Sequence, residues 1–374
     1  MAVEIIPVTN RRLLRKFIHL PAEIHAGHKN WVPPIYLDEW QALSPRKNPA
    51  FSYCDTVMAL AQKNGRVVGR VMGIINHRYN QTRDEKTARF SHLETWQDET
   101  TVGALLVYIE SWARKKGMHK IIGPYGFSDQ DPEGFLIEGF DQRATIATYY
   151  NFEWMPDLVA QNGYSKDIDY VTYKIDIQPE APEMMKRLHE RVQRRDSFEL
   201  VEIPDKKTAR RLAKPMFELM NECYQGSNIY GYTPMDQQEM NLLLKRYLPL
   251  IDKRFIKGLK KGNEYVGFII GIPDMTIGIQ ESRGHLFPFG FMKIIKARNR
   301  ARQLDMLLGG IKEECRGLGG DILLWMAMYR SARKAGMKVI DSHHQMEANA
   351  KMRAASEWAG GRLYKRHRVF QKRL

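Results

Sequence analysis

One spacing recurs along this chain: 198 residues separate the matching positions of two similar segments. Gly69, within GRVVGRVMGII (65–75), answers to Gly267, within NEYVGFIIGI (263–272), and each segment reads as a hairpin turn entering a strand. Asn151 stands twelve residues before Gly163, and Asn349 twelve before Gly361, at the same offset. The helical stretch ALLVYIESWARKKG (104–117), followed by MHKIIGP, matches ILLWMAMYRSARKAG (322–336), followed by MKVIDSH. A repeated supersecondary unit has the same apolar faces to bury twice, so the chain is expected to be a duplicated fold. Each copy reads as strand, one or two helices, hairpin, further strand, helix, strand, short helix and strand, an α/β unit around a mixed sheet. Ala181 and Pro182, after the alternating strand 170–177, mark the boundary. The expected domains are 1–178 and 179–374, the second carrying an insertion at 274–300.

Composition narrows the class. The chain has 374 residues, 43% hydrophobic and 27% charged, ordinary values for globular domains with their own cores. The N-terminus lacks the apolar core of a signal peptide, and no apolar run approaches the ~20 residues that span a bilayer. Cys54, Cys223 and Cys315 are isolated, which argues against structural zinc and a disulfide framework; the expectation is a cytoplasmic protein without a metal. A net charge of +15 asks for an anionic partner: a phosphorylated cofactor, anionic lipid or, least favoured, nucleic acid.

The second copy carries a glycine-rich turn, Arg316-Gly317-Leu318-Gly319-Gly320, between an apolar strand and a long amphipathic helix. Glycines there leave backbone N–H groups open at a helix N-terminus, an arrangement that suits a diphosphate; alone, such a turn is more often only a turn. Its counterpart in the first copy, Glu94 to Gly103, carries three acids and one late glycine, a poor anion cradle. The stripe Ile322, Trp325, Met326 and Tyr329 has helical spacing and reads as core. In the insertion, HLFPFGFMKIIKARNRAR mixes phenylalanines and isoleucines with Lys293, Lys296, Arg298, Arg300 and Arg302. Such a segment suits a membrane surface or phosphates, although a helix with a solvated basic face is the plainer reading.

With loop, helix, short strand and Asn349 placed, the chain resembles the GNAT (Gcn5-related N-acyltransferase) superfamily, whose loop pattern is Q/R-x-x-G-x-G/A. Arg316 and Gly319 match its first two fixed places and Asp321 departs from the third. The phrases NWVPP (30–34), PRKNPAF (45–51), EGF (138–140), IPD (272–274), LFPFGF (286–291) and YKRHRVF (364–370) are similar to those of bacterial tandem GNAT-like proteins over nearly the whole length. The resemblance implies two GNAT folds, each a mostly antiparallel central sheet flanked by helices and splayed to admit a pantetheine arm. It implies acetyl-CoA or another acyl-CoA as co-substrate. Leu308, Gly309, Gly310 and Ile311 would bond the arm, Arg316 to Gly320 the diphosphate, and Asn349 would belong to the same site. It also places Ser356 where many members have a tyrosine that protonates the leaving thiolate.

Catalysis would be direct transfer from thioester to an amine, small-molecule or peptide, with a base on the ammonium and an acid at the thiolate. The polar cluster Asp341, His343, His344 and Glu347 follows the second helix. Read as a strand, it sends His343 and His344 to opposite faces. Glu347 is the first candidate base and His343 the second; Tyr364 and Ser356 are candidate acids. The first copy, without a phosphate loop, is expected to be a structural or substrate-side partner. Trp31-Val-Pro-Pro, Tyr125-Gly-Phe and Tyr149-Tyr150 either line a cleft or serve as loop anchors. Two alternatives stay open: a Fem-type transferase drawing on aminoacyl-tRNA, and a non-catalytic ligand-binding protein.

Overall fold

The computed structural model describes residues 2–195, 197–225, 229–248 and 250–374. Its elements run β1 (Glu4–Pro7), α1 (Arg11–Ile24), α2 (Tyr36–Ala42), β2 (Cys54–Lys63), β3 (Arg66–Asn76), α3 (His77–Arg83), β4 (Thr87–Thr95), α4 (Glu99–Lys115), β5 (Lys120–Gly123), β6 (Phe135–Glu138), α5 (Met155–Gln161) and β7 (Ser165–Asp176). There follow α6 (Glu183–Gln193), β8 (Glu199–Glu202), α7 (Lys206–Gln225), α8 (Gln237–Tyr247), β9 (Ile256–Lys261), β10 (Glu264–Pro273), α9 (Thr276–Glu281), α10 (Gly290–Arg300), β11 (Gln303–Ile311), α11 (Gly320–Lys334), β12 (Val339–Asp341), β13 (Gln345–Met346), α12 (Ala350–Trp358) and β14 (Arg362–Arg373).

Two compact units result. Unit 1 gathers Met1–Tyr170, Thr276–Ile295 and Lys365–Leu374; unit 2 gathers Val171–Met275 and Lys296–Tyr364. In unit 1, β1, β2, β3 and β4 pair antiparallel in that order, β4 pairs β5 in parallel, and β5 takes the end of β14 antiparallel. Unit 2 repeats the scheme with β8, β9, β10 and β11 antiparallel, β11 parallel to β12, and β12 antiparallel to the end of β7. The mixed, mostly antiparallel sheet flanked by helices, twice in one chain, is therefore the fold that the spacing and the resemblance anticipate.

Alternation along each strand explains the layers. Ala59, Ala61, Val71 and Ile75 face Val102, Leu105, Leu106 and Ile109 of α4, while Leu60, Met72 and Ile74 face Phe17, Ile18 and Leu20 of α1. In unit 2, Leu304 and Ile340 lie under Met328, Tyr329 and Ala332 of α11, and Phe268 packs with Leu219, Met220 and Cys223 of α7. Ile322, Met326 and Tyr329 are buried and Trp325 stacks on Tyr329 with ring centroids 5.1 Å apart, as a core stripe should.

Two local readings change. The acidic stretch Glu94–Gly103 is mostly regular structure: β4 runs to Thr95 and α4 begins at Glu99, whose carboxylate suits the positive helix N-terminus, so the turn is only Trp96–Asp98. β12 ends at Asp341, where its carboxylate accepts the His343 N–H at 2.7 Å and His343 takes φ +55°. His343 and His344 thus leave strand geometry, and their rings lie 5.3 Å apart rather than on opposite faces.

Candidate functional site

The unit 2 residues occupy well-defined but separate settings. β12 pairs β11 only at Gln303–Asp305, so Leu308, Gly309, Gly310 and Ile311 pair with β10 and leave β12 behind, as a splayed sheet requires. The β10–β11 register slips between Ile270 and Gly271, which bulges β11 at Leu307. A short 3₁₀ turn, Glu313–Cys315, precedes the glycine loop. Within the loop, the Arg316 guanidinium donates to the Ile311 carbonyl at 3.1 Å and the Cys223 carbonyl at 2.7 Å, so it braces backbone. Gly319 is the N-cap of α11 and sits at φ +94°; a Cβ there would come within 2.3 Å of Val192. Asp321 lies in the first turn. Leu318 is exposed, Gly320 packs on Leu259, and Gly317, at φ +74°, faces open space. Asn349 caps α12 by accepting the Met352 N–H at 3.2 Å.

Among the candidate acids and bases of unit 2, Ser356 is buried and accepts from the Gln345 amide at 2.8 Å. Tyr364 donates to Asp341, and burial together with the Asp341, Asp305 and Asp274 carboxylates pushes its phenol far upward, so it holds its proton. Glu347 is half-buried in a turn, and its carbonyl accepts from Arg353 at 3.3 Å.

Unit 1 holds a polar constellation that the sequence did not reveal. The β3–β4 register slips between Arg70 and Met72, bulging β4, and His92 takes φ +53°, uncommon for a side chain with a Cβ. The bulge in β11 lies one step further along and presents Leu307 without a left-handed backbone; the bulge in β4 turns an imidazole toward α2. His92 Nε2 lies 3.2 Å from Glu39 Oε1, and Nδ1 lies 2.6 Å from Ser91 Oγ. An ionised Glu39 can only accept, so it fixes Nε2 as the protonated nitrogen and leaves Nδ1 to accept from Ser91. The His92 backbone N–H donates to the Tyr149 hydroxyl at 3.3 Å. Arg70, 4% exposed, donates to Glu94 at 3.0 Å and to the Phe17 carbonyl at 2.8 Å, and stands 4.0 Å from Glu39.

Burial raises the Tyr149 phenol well above its ordinary value, so it stays protonated beside the bulge. Burial, with Arg70 opposing and Glu94 and Glu39 assisting, also raises Tyr36. Tyr36 stacks obliquely between His19 at 4.4 Å and His285 at 4.8 Å, and its N–H donates to the Gly284 carbonyl at 3.0 Å. The α9 segment is tied down by Gln280, which donates to the Lys29 and Trp31 carbonyls at 3.0 and 2.7 Å. A carboxylate-oriented imidazole on a strand bulge, with a protonated phenol and a guanidinium beside it, has the chemistry of a proton-transfer cluster. Local pattern could not announce it, because Glu39 and His92 are separated by 53 residues and the bulge has no sequence signature. Among the described residues, no group of three His, Cys, Asp or Glu side chains could hold a metal ion.

Comparison with known proteins agrees with this architecture. No protein-family model matches the chain. It is similar to a solved tandem GNAT protein from the clavulanic acid biosynthesis pathway, with a TM-score of 0.55 and 14% identity over 100% of this chain and 98% of that one. The chain therefore has the tandem GNAT fold. Over 383 aligned positions it is 27% identical to a bacterial ceramide synthase of Caulobacter vibrioides, covering 100% of this chain and 98% of the relative. It is 24% identical to protein YghO of Escherichia coli over 98% of this chain and 94% of that one.

Proposed function

We propose that the protein is an acyl-CoA-dependent N-acyltransferase whose acceptor is the amine of a long-chain lipid. The observation that carries this reading is the His92–Glu39 pair on the left-handed bulge of β4. It is supported by full-length similarity to a relative named a ceramide synthase, since a ceramide is the amide of a long-chain amino alcohol. His92 Nδ1, through the Ser91 hydroxyl, takes the proton of the acceptor ammonium, and Glu39 stabilises the imidazolium formed. The freed amine attacks the thioester carbonyl and the C–N bond forms; collapse of the tetrahedral intermediate breaks the C–S bond, whose electron pair leaves on sulfur, and the proton that the nitrogen sheds goes to that thiolate. The Tyr149 phenol donates a hydrogen bond to the charge that develops on oxygen or on the leaving thiolate. Coenzyme A would supply the activated acyl thioester; in a site built within unit 2 instead, Leu308–Ile311, Arg316–Gly320 and Asn349 are its candidate contacts. Glu347, His343, Ser356 and Tyr364 become the second choice for the proton transfers.

The test is incubation with palmitoyl-CoA and a sphingoid base, following free thiol release and the N-acyl product by mass spectrometry. His92→Ala is expected to lower turnover by roughly 10²–10⁴-fold. Coenzyme A should raise the melting temperature. Loss of that shift in Gly317→Glu assigns the donor to the unit 2 loop, and loss in Gln97→Glu assigns it to the Trp96–Asp98 turn. The reading fails if no acyl-CoA binds below millimolar concentration, or if charged tRNA is the donor consumed.

A further inference from the structure

The helix α10 and the turn before it present an apolar surface with nothing over it. Phe287, Phe289, Phe291, Met292 and Ile295 are 75%, 67%, 44%, 56% and 43% exposed, whereas only Gly290 and Ile294 of the helix are buried. At about 100° per residue, Phe291, Ile295 and Met292 share one arc of about 100°, its centre about 130° from that of the buried Gly290 and Ile294. Lys296 and Arg300 continue that arc on one flank and Arg298 borders it on the other. Exposed phenylalanines in a soluble setting cost free energy, and a contiguous patch of them marks a binding surface.

We propose that this segment docks the protein on an anionic lipid bilayer. The chemistry of the arc favours lipid: large apolar side chains project at its centre, long basic chains stand at its edges where headgroup phosphates would lie, and the whole chain carries +15. Two contacts anchor it on the unit 1 side. Lys293 donates to the Glu281 carbonyl at 2.8 Å, and Gly290 packs so closely on the His285 carbonyl that no side chain would fit. His285 in turn contacts Tyr36, on the helix that bears Glu39. The apolar part of the docking segment, up to Ile295, and the acid–base cluster thus both belong to unit 1, and a lipid amine taken from the bilayer would arrive beside His92. This last point rests on the proposed function; docking itself does not.

The experiment is co-sedimentation of the full chain with vesicles of phosphatidylcholine containing one-third phosphatidylglycerol, at 0.1 M and 0.5 M salt. Binding is expected at low salt, with at least a tenfold loss in 0.5 M salt or on pure phosphatidylcholine vesicles. Phe289→Ser with Phe291→Ser should lose at least tenfold, and Lys296→Gln and Arg300→Gln roughly fivefold each. All four positions are exposed, so the melting temperature should hold. His92→Ala should bind vesicles like the wild type, which separates failure of docking from failure of catalysis. The proposal is overturned if the wild type stays in the supernatant, if the phenylalanine variants bind as well as it does, or if those variants instead convert a soluble dimer to monomer.

Discussion

Replacing Glu39 by Gln isolates one charge in the unit 1 cluster. Gln keeps the length, the planar head and an oxygen able to accept from His92 Nε2, so the imidazole retains its place and tautomer; what disappears is the negative charge 3.2 Å away. Both side chains are less than one-fifth exposed, and their charge centres lie about 4 Å apart, where Coulomb's law gives ~4 kcal/mol at an effective dielectric near 20 and ~1 kcal/mol in bulk water. A value of about 2–3 kcal/mol for stabilising the imidazolium corresponds to a fall of about 30- to 150-fold in the rate of acyl transfer. The assay is steady-state release of coenzyme A thiol with saturating acyl-CoA, and the KM for the donor should hardly move. Because Glu39 acts through His92, the double variant Glu39→Gln/His92→Ala should be no slower than His92→Ala alone. A loss under threefold in Glu39→Gln would refute the argument, as would additive losses. So would abolition of activity by Glu347→Gln or His343→Ala with His92→Ala still active.

Three further outcomes follow from packing and charge. In unit 2, Gly319→Ala puts a methyl 2.3 Å from Val192 at φ +94° and should cost well over the ~1 kcal/mol expected for Gly317→Ala, which meets nothing within 4 Å; urea unfolding reads the difference. In unit 1, burial, with His28 and Arg70 nearby, pushes His25 down to about 3 while its ring stacks on Trp31 and Phe152. Its folded pKa lies below the unfolded ~6.5, so the stability it confers is complete above pH ~6.5 and declines by about 1.4 kcal/mol per unit as pH falls toward 3. His25→Phe should flatten that slope in unfolding measured between pH 7 and 4. Cys54, Cys223 and Cys315 are buried, and burial pushes the Cys223 thiol up to about 12, so Cys223 should resist iodoacetamide at pH 8 until the chain is unfolded, as mass spectrometry of the labelled peptides would report.

The duplicated architecture was legible because its causes are local and periodic. Alternation in β2 and β3, the amphipathic spacing of α4 and α11, and the recurring Gly69 and Gly267 all follow from burying one face of each element. Neighbouring residues also suffice to state where Arg316–Gly320 stands, between strand and helix. The work those residues do was not local: Arg316 braces the Cys223 carbonyl on α7, and Gly319 makes room for Val192 on α6. The acid–base cluster needed tertiary structure altogether. A bulge one residue long swings His92 toward Glu39, Arg70 crosses from β3 to both acids, and Tyr149 arrives from beyond β6. Strand register and long-range packing decide such meetings, and a sequence pattern carries no term for either. Sequence determined that this chain folds twice into the same sheet-and-helix unit; the tertiary structure decided that the bulge of one copy brings an imidazole to a carboxylate of α2 while the bulge of the other presents leucine.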